Sequence, residues 1–118
     1  MYEYKATLIR VTDGDTVWLS VRTGFRCSMQ LEFRLAHIDC KPIGTPEGAA
    51  AAAFVTDWFA DANGEVVIQT SVGARGVDKQ EKWGRWLAVI RISADAPTLN
   101  DILVQRGMAV PYEGGKKT

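Results

Sequence analysis

The sequence predicts an α+β protein that is mainly β, with five strands and two helices. Several short stretches alternate apolar and polar residues with a period of two, which is typical of half-buried strands. An alanine-rich stretch in the middle of the chain is apolar at helical spacing instead. A second, shorter helical stretch follows the last predicted strand.

The strands are predicted over residues 6–11, 16–21, 29–38, 66–68 and 83–92. Turns are expected at Asp13-Gly14, because glycine readily takes the positive φ of a tight turn, and at Arg22-Thr23-Gly24-Phe25. In the third strand we expect Met29, Leu31, Phe33 and Leu35 to face inward and Gln30, Glu32, Arg34 and Ala36 to face outward.

The first helix is predicted from Pro46 to about Ala62, with Thr45 as N-cap and Glu47 in the acidic first turn. Its apolar stripe consists of Phe54, Val55, Trp58 and Phe59, and Asn63-Gly64 ends it. The second helix covers residues 99–106. Five strands with a helix between the third and fourth match a five-stranded OB-fold barrel with two helices, although the pattern leaves other α+β arrangements open.

The length of 118 residues predicts one domain, with a polar tail from about residue 113. Formal net charge is zero, so nucleic-acid binding would depend on local basic patches. One such patch is expected from Arg22, Arg26 and Arg34. Cys27 and Cys40 lack zinc-ligand spacing. No apolar run is long enough to span a bilayer and no signal-peptide pattern opens the chain, so we expect a cytoplasmic protein.

Two acidic positions indicate a candidate site. Asp15 follows the first turn, and Asp39 ends the third predicted strand, five residues after Arg34. Such carboxylates suit a hard divalent cation beside a phosphate, although two solvated turn aspartates are the simpler interpretation of the spacing alone. Strict alternation puts Asp39 on the face opposite Arg34, so a shared site requires a bulge or strand break between them.

Five motifs in order along the chain resemble the staphylococcal nuclease family, and the Gly24-Phe25 turn and the Pro111-Tyr112-Glu113-Gly114-Gly115 ending resemble its short phage and prophage members. The five motifs are Asp13-Gly14-Asp15-Thr16-Val17, Phe33-Arg34-Leu35-Ala36-His37-Ile38-Asp39, Gly44-Thr45-Pro46-Glu47-Gly48-Ala49, Lys82-Trp83-Gly84-Arg85-Trp86-Leu87-Ala88 and Leu103-Val104-Gln105-Arg106-Gly107-Met108-Ala109. The resemblance implies an OB-fold nuclease that cleaves single-stranded DNA or RNA with one calcium ion, as a monomer in the cytoplasm or a host cytoplasm.

The resemblance also implies roles for individual residues. Asp15 and Asp39 match the calcium carboxylates, and Cys40 matches a residue whose backbone carbonyl binds the metal. Arg34 and Arg85 match the phosphate-binding arginines, and Asp13 matches a nearby carboxylate. Contacts with the nucleic acid are expected from Tyr112, Lys82 and Trp83. The rings of Tyr112 and Trp83 are able to stack on bases.

The chain departs from the family pattern after Asp39, where Cys40-Lys41-Pro42 stands in place of the stretch that carries the family's general-base glutamate. Glu47 is the nearest candidate base, but its position favours an ordinary first-turn acid. His37 is more often a packing residue than a base in such a place. The alternative function is therefore a nucleic-acid-binding OB-fold module with reduced or lost catalysis.

Overall fold

The computed structural model describes residues 2–70 and 85–112, and it confirms an α+β protein that is mainly β. Its elements are β1 (Tyr2–Asp13), β2 (Thr16–Gly24), β3 (Cys27–Leu35), β4 (Ile38–Asp39), α1 (Pro46–Asp61), β5 (Glu65–Thr70), β6 (Trp86–Arg91), α2 (Leu99–Gln105) and β7 (Val110–Pro111). Five of the strands form a closed barrel in the order β1-β2-β3-β6-β5, with β1 also pairing with β5. Neighbouring strands in the barrel are antiparallel except β3 and β6, which are parallel.

The barrel interior is filled by the apolar faces that the alternation predicts. Val17, Leu19 and Val21 of β2 are buried, as are Phe33 and Leu35 of β3. The stripe on α1 packs on the same core. Its buried members are Val55, Trp58 and Phe59, and the last two rings meet edge to face at 5.1 Å. The barrel closes where residues 33 and 34 of β3 pair with both β2 and β6.

The third predicted strand is two strands in the structure. β3 ends at Leu35, and β4 begins at Ile38 after a turn in which His37 takes a left-handed φ of 68°. Ala36 was predicted to face outward and is buried, because the chain leaves the sheet at this point. β4 then pairs with β7 as a separate two-stranded sheet.

The far end of the β2–β3 hairpin also differs from the prediction. Its turn is at Phe25-Arg26 rather than at Arg22–Phe25, because β2 continues through Gly24. Met29 was predicted to face inward and is exposed. The hairpin extends beyond the barrel here, so alternation no longer distinguishes a buried face from a solvent face.

The loop between β4 and α1 is fixed against the start of the helix. Thr45 caps α1 by accepting a hydrogen bond from the Gly48 backbone N–H at 3.0 Å. The Pro42 carbonyl in turn accepts from the Thr45 hydroxyl at 2.7 Å and from its N–H at 3.0 Å. A Cβ on Gly48 would lie 1.8 Å from that carbonyl oxygen. Only glycine therefore allows this approach, which holds the loop beside Asp39.

Asn100 at the start of α2 joins three segments of the chain. Its amide donates to the carbonyls of Ala36 at 2.8 Å and Ala88 at 3.2 Å, and its carbonyl oxygen accepts from the Ile90 N–H. These bonds satisfy a buried polar side chain and attach α2 to the strand break and to β6. None of the helices in the described ranges has the length and apolarity needed to cross a membrane.

Candidate active site

The turn between β1 and β2 places Asp15 in a buried position with its carboxylate held at both oxygens. Oδ1 accepts a hydrogen bond from the Thr16 hydroxyl at 3.1 Å, and Oδ2 accepts from the Cys40 backbone N–H at 2.9 Å. The Cys40 contact spans 25 residues of sequence. The barrel therefore fixes the direction of this carboxylate, which a solvated turn aspartate would not need.

Arg34 lies between the two predicted metal carboxylates. Its Nη2 donates to Asp39 Oδ1 at 2.8 Å and to the Ile38 carbonyl at 3.2 Å, and it lies 3.7 Å from Asp15 Oδ2. All three side chains are at most 14% exposed. The strand break at His37 permits this arrangement, because it reverses the face that Asp39 presents. The expected break between Arg34 and Asp39 is confirmed.

Arg85 approaches the same place from the start of β6. Its Nη1 donates to the Thr16 hydroxyl at 3.3 Å, and Thr16 is the residue directly opposite Arg34 in the β2–β3 pairing. The two arginines therefore flank one threonine. The sequence analysis assigned no role to Thr16. The available signal was its position directly after Asp15 in the first motif, where a hydroxyl can donate to that carboxylate.

Tyr112 completes the group through the pairing of β7 with β4. Its backbone N–H donates to the His37 carbonyl at 2.8 Å. The guanidinium carbon of Arg34 lies 5.0 Å from the centre of the Tyr112 ring. This cation–π contact covers one face of the guanidinium and limits its orientations.

Cys40 contributes its backbone and a buried thiol. Burial, together with the negative charges of Asp15 and Asp39, raises the pKa of the Cys40 thiol to about 12, and the positive charge of Arg34 offsets only part of this rise. The thiol is therefore protonated at neutral pH and a poor nucleophile. The contact observed at Cys40 is made by its N–H, and the role of its carbonyl as a metal ligand stays a prediction.

The other predicted site residues lie outside this group or beyond the described ranges. The Asp13 carboxylate accepts from the Ile43 N–H at 2.9 Å and so anchors the loop after β4. Glu47 is exposed on the first turn of α1, and no hydrogen bond or ion pair within residues 2–70 and 85–112 joins it to the site. His37 is exposed at the strand break. Lys82, Trp83 and the tail from residue 113 fall in segments that the structure does not describe.

The donor set fits a hard divalent cation better than a soft one. Two carboxylates face a single cationic nitrogen, and Ca²⁺ is bound by carboxylate oxygens together with carbonyls and waters. Within the described residues no group of three or more His, Cys, Asp or Glu side chains is placed to hold a metal. A cation at this position would therefore rely on Asp15 and Asp39, with other oxygen ligands completing its shell.

A scan of the chain against models of known protein families finds no match.

Proposed function

We propose that the protein is a calcium-dependent nuclease that hydrolyses phosphodiester bonds in single-stranded DNA or RNA, of the staphylococcal nuclease kind. One observation carries the proposal: two carboxylates and two arginines, distributed between residues 15 and 85 of the sequence, form one connected group. Arg34 contacts both Asp15 and Asp39, and the Thr16 hydroxyl joins Asp15 to Arg85. A purely structural ion pair would need neither the second carboxylate nor the second arginine. Phosphodiester hydrolysis by a metal-dependent enzyme uses both pairs.

Asp15 and Asp39 would hold the calcium ion through their carboxylate oxygens. When bound, the ion supplies a Lewis-acid contact to a phosphoryl oxygen and a water of lowered pKa. The hydrogen bonds that Asp15 accepts from Cys40 and Thr16 fix its carboxylate before any ligand arrives. Preorganisation of this kind avoids reorganisation during the reaction.

Arg34 and Arg85 would bind the phosphoryl oxygens on which charge builds in the transition state. A guanidinium presents a planar fork of N–H donors, which matches phosphate geometry better than a lysine ammonium does. Asp39 and the Tyr112 ring orient Arg34, and the Thr16 hydroxyl accepts a hydrogen bond from Arg85. A phosphate would exchange part of the Arg34–carboxylate contact for its own.

The alternative function is a nucleic-acid-binding module with reduced or lost catalysis. It is favoured by one observation: among the described residues, Asp15 and Asp39 are the carboxylates in contact with Arg34, and Glu47 is exposed outside that contact. Both carboxylates are assigned to the metal, so neither is free to act as general base. That loss would typically lower the rate 10²–10⁴-fold.

Digestion of fluorescent single-stranded DNA, with calcium and with EDTA, separates the two functions. We expect cleavage in calcium only, strongly reduced in Asp39→Asn and unchanged in Asp57→Asn, a matched change at an exposed position on α1. Calorimetric calcium binding should weaken in Asp15→Ala and Asp39→Ala. DNA binding without cleavage would support the binding module, and calcium affinity unchanged in both variants would refute the metal site.

A further inference from the structure

The β2–β3 hairpin ends in a segment with no contact role inside the barrel. Every residue from 22 to 30 is exposed, and we call this segment the hairpin arm. Phe25 lies at its tip with a relative exposure of 101%, and Arg26 is beside it. A fully exposed phenylalanine between two arginines of the same arm, Arg22 and Arg26, calls for an explanation outside the fold.

The backbone conformation of the tip also indicates a role for Phe25 and Arg26 outside the fold. Gly24 pairs with Cys27, so Phe25 and Arg26 form a two-residue loop, with φ of 54° and 61°. Loops of this type favour Asn-Gly, because both central residues need positive φ. Bulky side chains are disfavoured there, and the described structure gives them no packing in return. Residues held in such conformations are often retained for recognition.

A continuous outer face connects the candidate active site with the hairpin arm. Along β2 it carries Trp18, Ser20 and Arg22, since Val17, Leu19 and Val21 face the core, and it begins next to the buried Thr16 of the candidate active site. Arg10 of β1 lies 4.9 Å from the centre of a Trp18 ring, on the same face. The nine residues of β2 span roughly 27 Å at about 3.3 Å per residue.

The charge of this face suits a polyanion. Residues 16–31 contain two arginines and no Asp or Glu. Glu32 is half-buried opposite Trp18, nearer the candidate active site. Arg22 forms an ion pair with Glu65 at 3.0 Å, with both side chains more than half exposed. Pairs this exposed contribute little to stability, so a phosphate can replace the carboxylate.

We propose that the hairpin arm and the outer face of β2 bind single-stranded nucleic acid at a distance from the candidate active site. Phe25 stacks on a base, Arg22 and Arg26 contact phosphates, and Trp18 provides a second aromatic surface along the way. The proposal rests on the proposed function for the chemistry of the ligand, but it does not require catalysis. Alternating aromatic rings and arginines along a groove are a general solution for binding single strands.

The test compares two oligonucleotide lengths in EDTA, where cleavage does not interfere. At about 3.4 Å per stacked nucleotide, the length of β2 corresponds to roughly eight nucleotides. Fluorescein-labelled oligo(dT) of 20 nucleotides reaches both regions, and a 4-mer reaches one. Fluorescence polarisation should show that Phe25→Ala weakens binding of the 20-mer about 5- to 150-fold, the effect of one lost base stack, and leaves the 4-mer unchanged.

Two further variants serve as controls for Phe25→Ala. The double substitution Phe25→Asn with Arg26→Gly keeps the turn and removes both side chains, so weaker 20-mer binding with an intact melting transition supports the proposal. Ile92→Ala removes another exposed apolar side chain, after β6, and should bind like the wild type.

The remaining outcomes distinguish the two proposals. If the wild type binds both oligonucleotides and Phe25→Ala binds the 20-mer equally well, the arm proposal is overturned while the proposed function stands. If the wild type binds neither in EDTA, the arm proposal is overturned, and the cleavage assay in calcium tests the proposed function separately. Phe25-dependent sedimentation with phosphatidylglycerol vesicles, or a dimer that Phe25→Ala dissociates, overturns the arm proposal when 20-mer binding is unaffected.

Discussion

The two ends of the β2–β3 hairpin use the same two strands in opposite ways. At one end Thr16 and Arg34 lie opposite each other, in contact with the side chains of Asp15, Asp39, Arg85 and Tyr112. At the other end, Gly24 and Cys27 lie opposite each other and every neighbour is exposed. The antiparallel ladder is common to both ends, so the ladder alone does not decide which end can become a site.

Tertiary contacts make the difference. At the first end, the Cys40 N–H fixes the direction of the Asp15 carboxylate. Asp39 and the Tyr112 ring fix the direction of the Arg34 guanidinium. Among the described residues, the hairpin arm receives one exposed ion pair, between its Arg22 and Glu65 of β5. Fixed, partly dehydrated charges suit transition-state stabilisation, while exposed side chains suit adaptable binding. The predictions below test this contrast, beginning with the largest expected effect.

The two cysteines report directly on the two ends, since Cys27 lies in the hairpin arm and Cys40 beside Asp15. We expect Cys27 to react rapidly with a disulfide reagent such as DTNB at pH 8. Cys40 should react at least about a thousandfold more slowly than Cys27, because exposure of a buried thiol requires opening of a fold stable by at least ~5 kcal/mol. Its pKa of about 12 adds to the protection. Cys27→Ser should abolish the rapid phase, and a rapid phase that persists would contradict the burial of Cys40.

Arg34→Gln tests the charge balance of the buried end. It leaves Asp15 and Asp39 without their shared cation, so we expect a loss of about 3 kcal/mol in unfolding free energy in EDTA, partly recovered in calcium. Turnover should fall 10²–10³-fold, since a donor to the transition state is lost. Thermal melts in EDTA and in calcium, together with the cleavage assay, measure both effects.

The matched control for Arg34→Gln is Arg22→Gln in the hairpin arm. Its ion pair with Glu65 is exposed, so the loss should be below 1 kcal/mol. Equal destabilisation by the two substitutions would show that the buried end is no more organised than the arm.

Gly48→Ala tests the close approach that fixes the loop beside Asp39. Alanine in a helix is normally about 1 kcal/mol better than glycine, but here the new Cβ would overlap the Pro42 carbonyl. We expect a loss of about 3 kcal/mol, visible as a Tm lower by roughly 10 °C in calorimetry. Gly44→Ala in the same loop has open space around its Cβ and should change Tm by little. A neutral Gly48→Ala would mean that the loop is not held against α1.

Replacing Phe25-Arg26 by Asn-Gly should raise stability by about 1–2 kcal/mol, because it relieves two disfavoured left-handed residues at the tip of the hairpin. Urea denaturation of the double variant and of the wild type measures the difference. A lower midpoint with an unchanged slope would show that Phe25 or Arg26 stabilises the fold, and that their retention needs no binding role.

The sequence predicted the parts of this contrast that depend on local pattern. Alternation in β2 correctly predicted its core face, and the Thr45 cap correctly predicted the start of α1. Strict alternation puts Arg34 and Asp39 on opposite faces, so a joint role for them required the strand break that the structure has. Met29 was assigned inward wrongly, because period two does not reveal how far a hairpin extends beyond a barrel. Thr16 and Asn100 were missed because each acts through a distant partner. Arg85 lies 69 residues from Thr16 in sequence, and the Ala36 carbonyl lies 64 residues from Asn100.

The smallest expected effect concerns Glu47, the nearest candidate for the missing general base. Its carboxylate is exposed on the first turn of α1, where an acid favours the helix dipole by roughly 0.3–1 kcal/mol. We therefore expect Glu47→Gln to change the cleavage rate less than twofold. The same single-stranded DNA assay, at saturating calcium, provides the measurement.

Without a carboxylate to accept the proton, hydroxide must take the place of the base, so we expect weak cleavage whose rate rises with pH through the alkaline range. Pro42→Glu should raise that rate at neutral pH and flatten the profile. Position 42 is exposed and lies in the loop next to Asp39, and the carbonyl that accepts from the Thr45 hydroxyl belongs to the backbone and is kept. The informative contrary result is robust cleavage near pH 7 that collapses in Glu47→Gln, with calcium affinity and melting temperature unchanged. Glu47 would then be the base, and the first turn of α1 would have to move toward Asp39 when substrate binds.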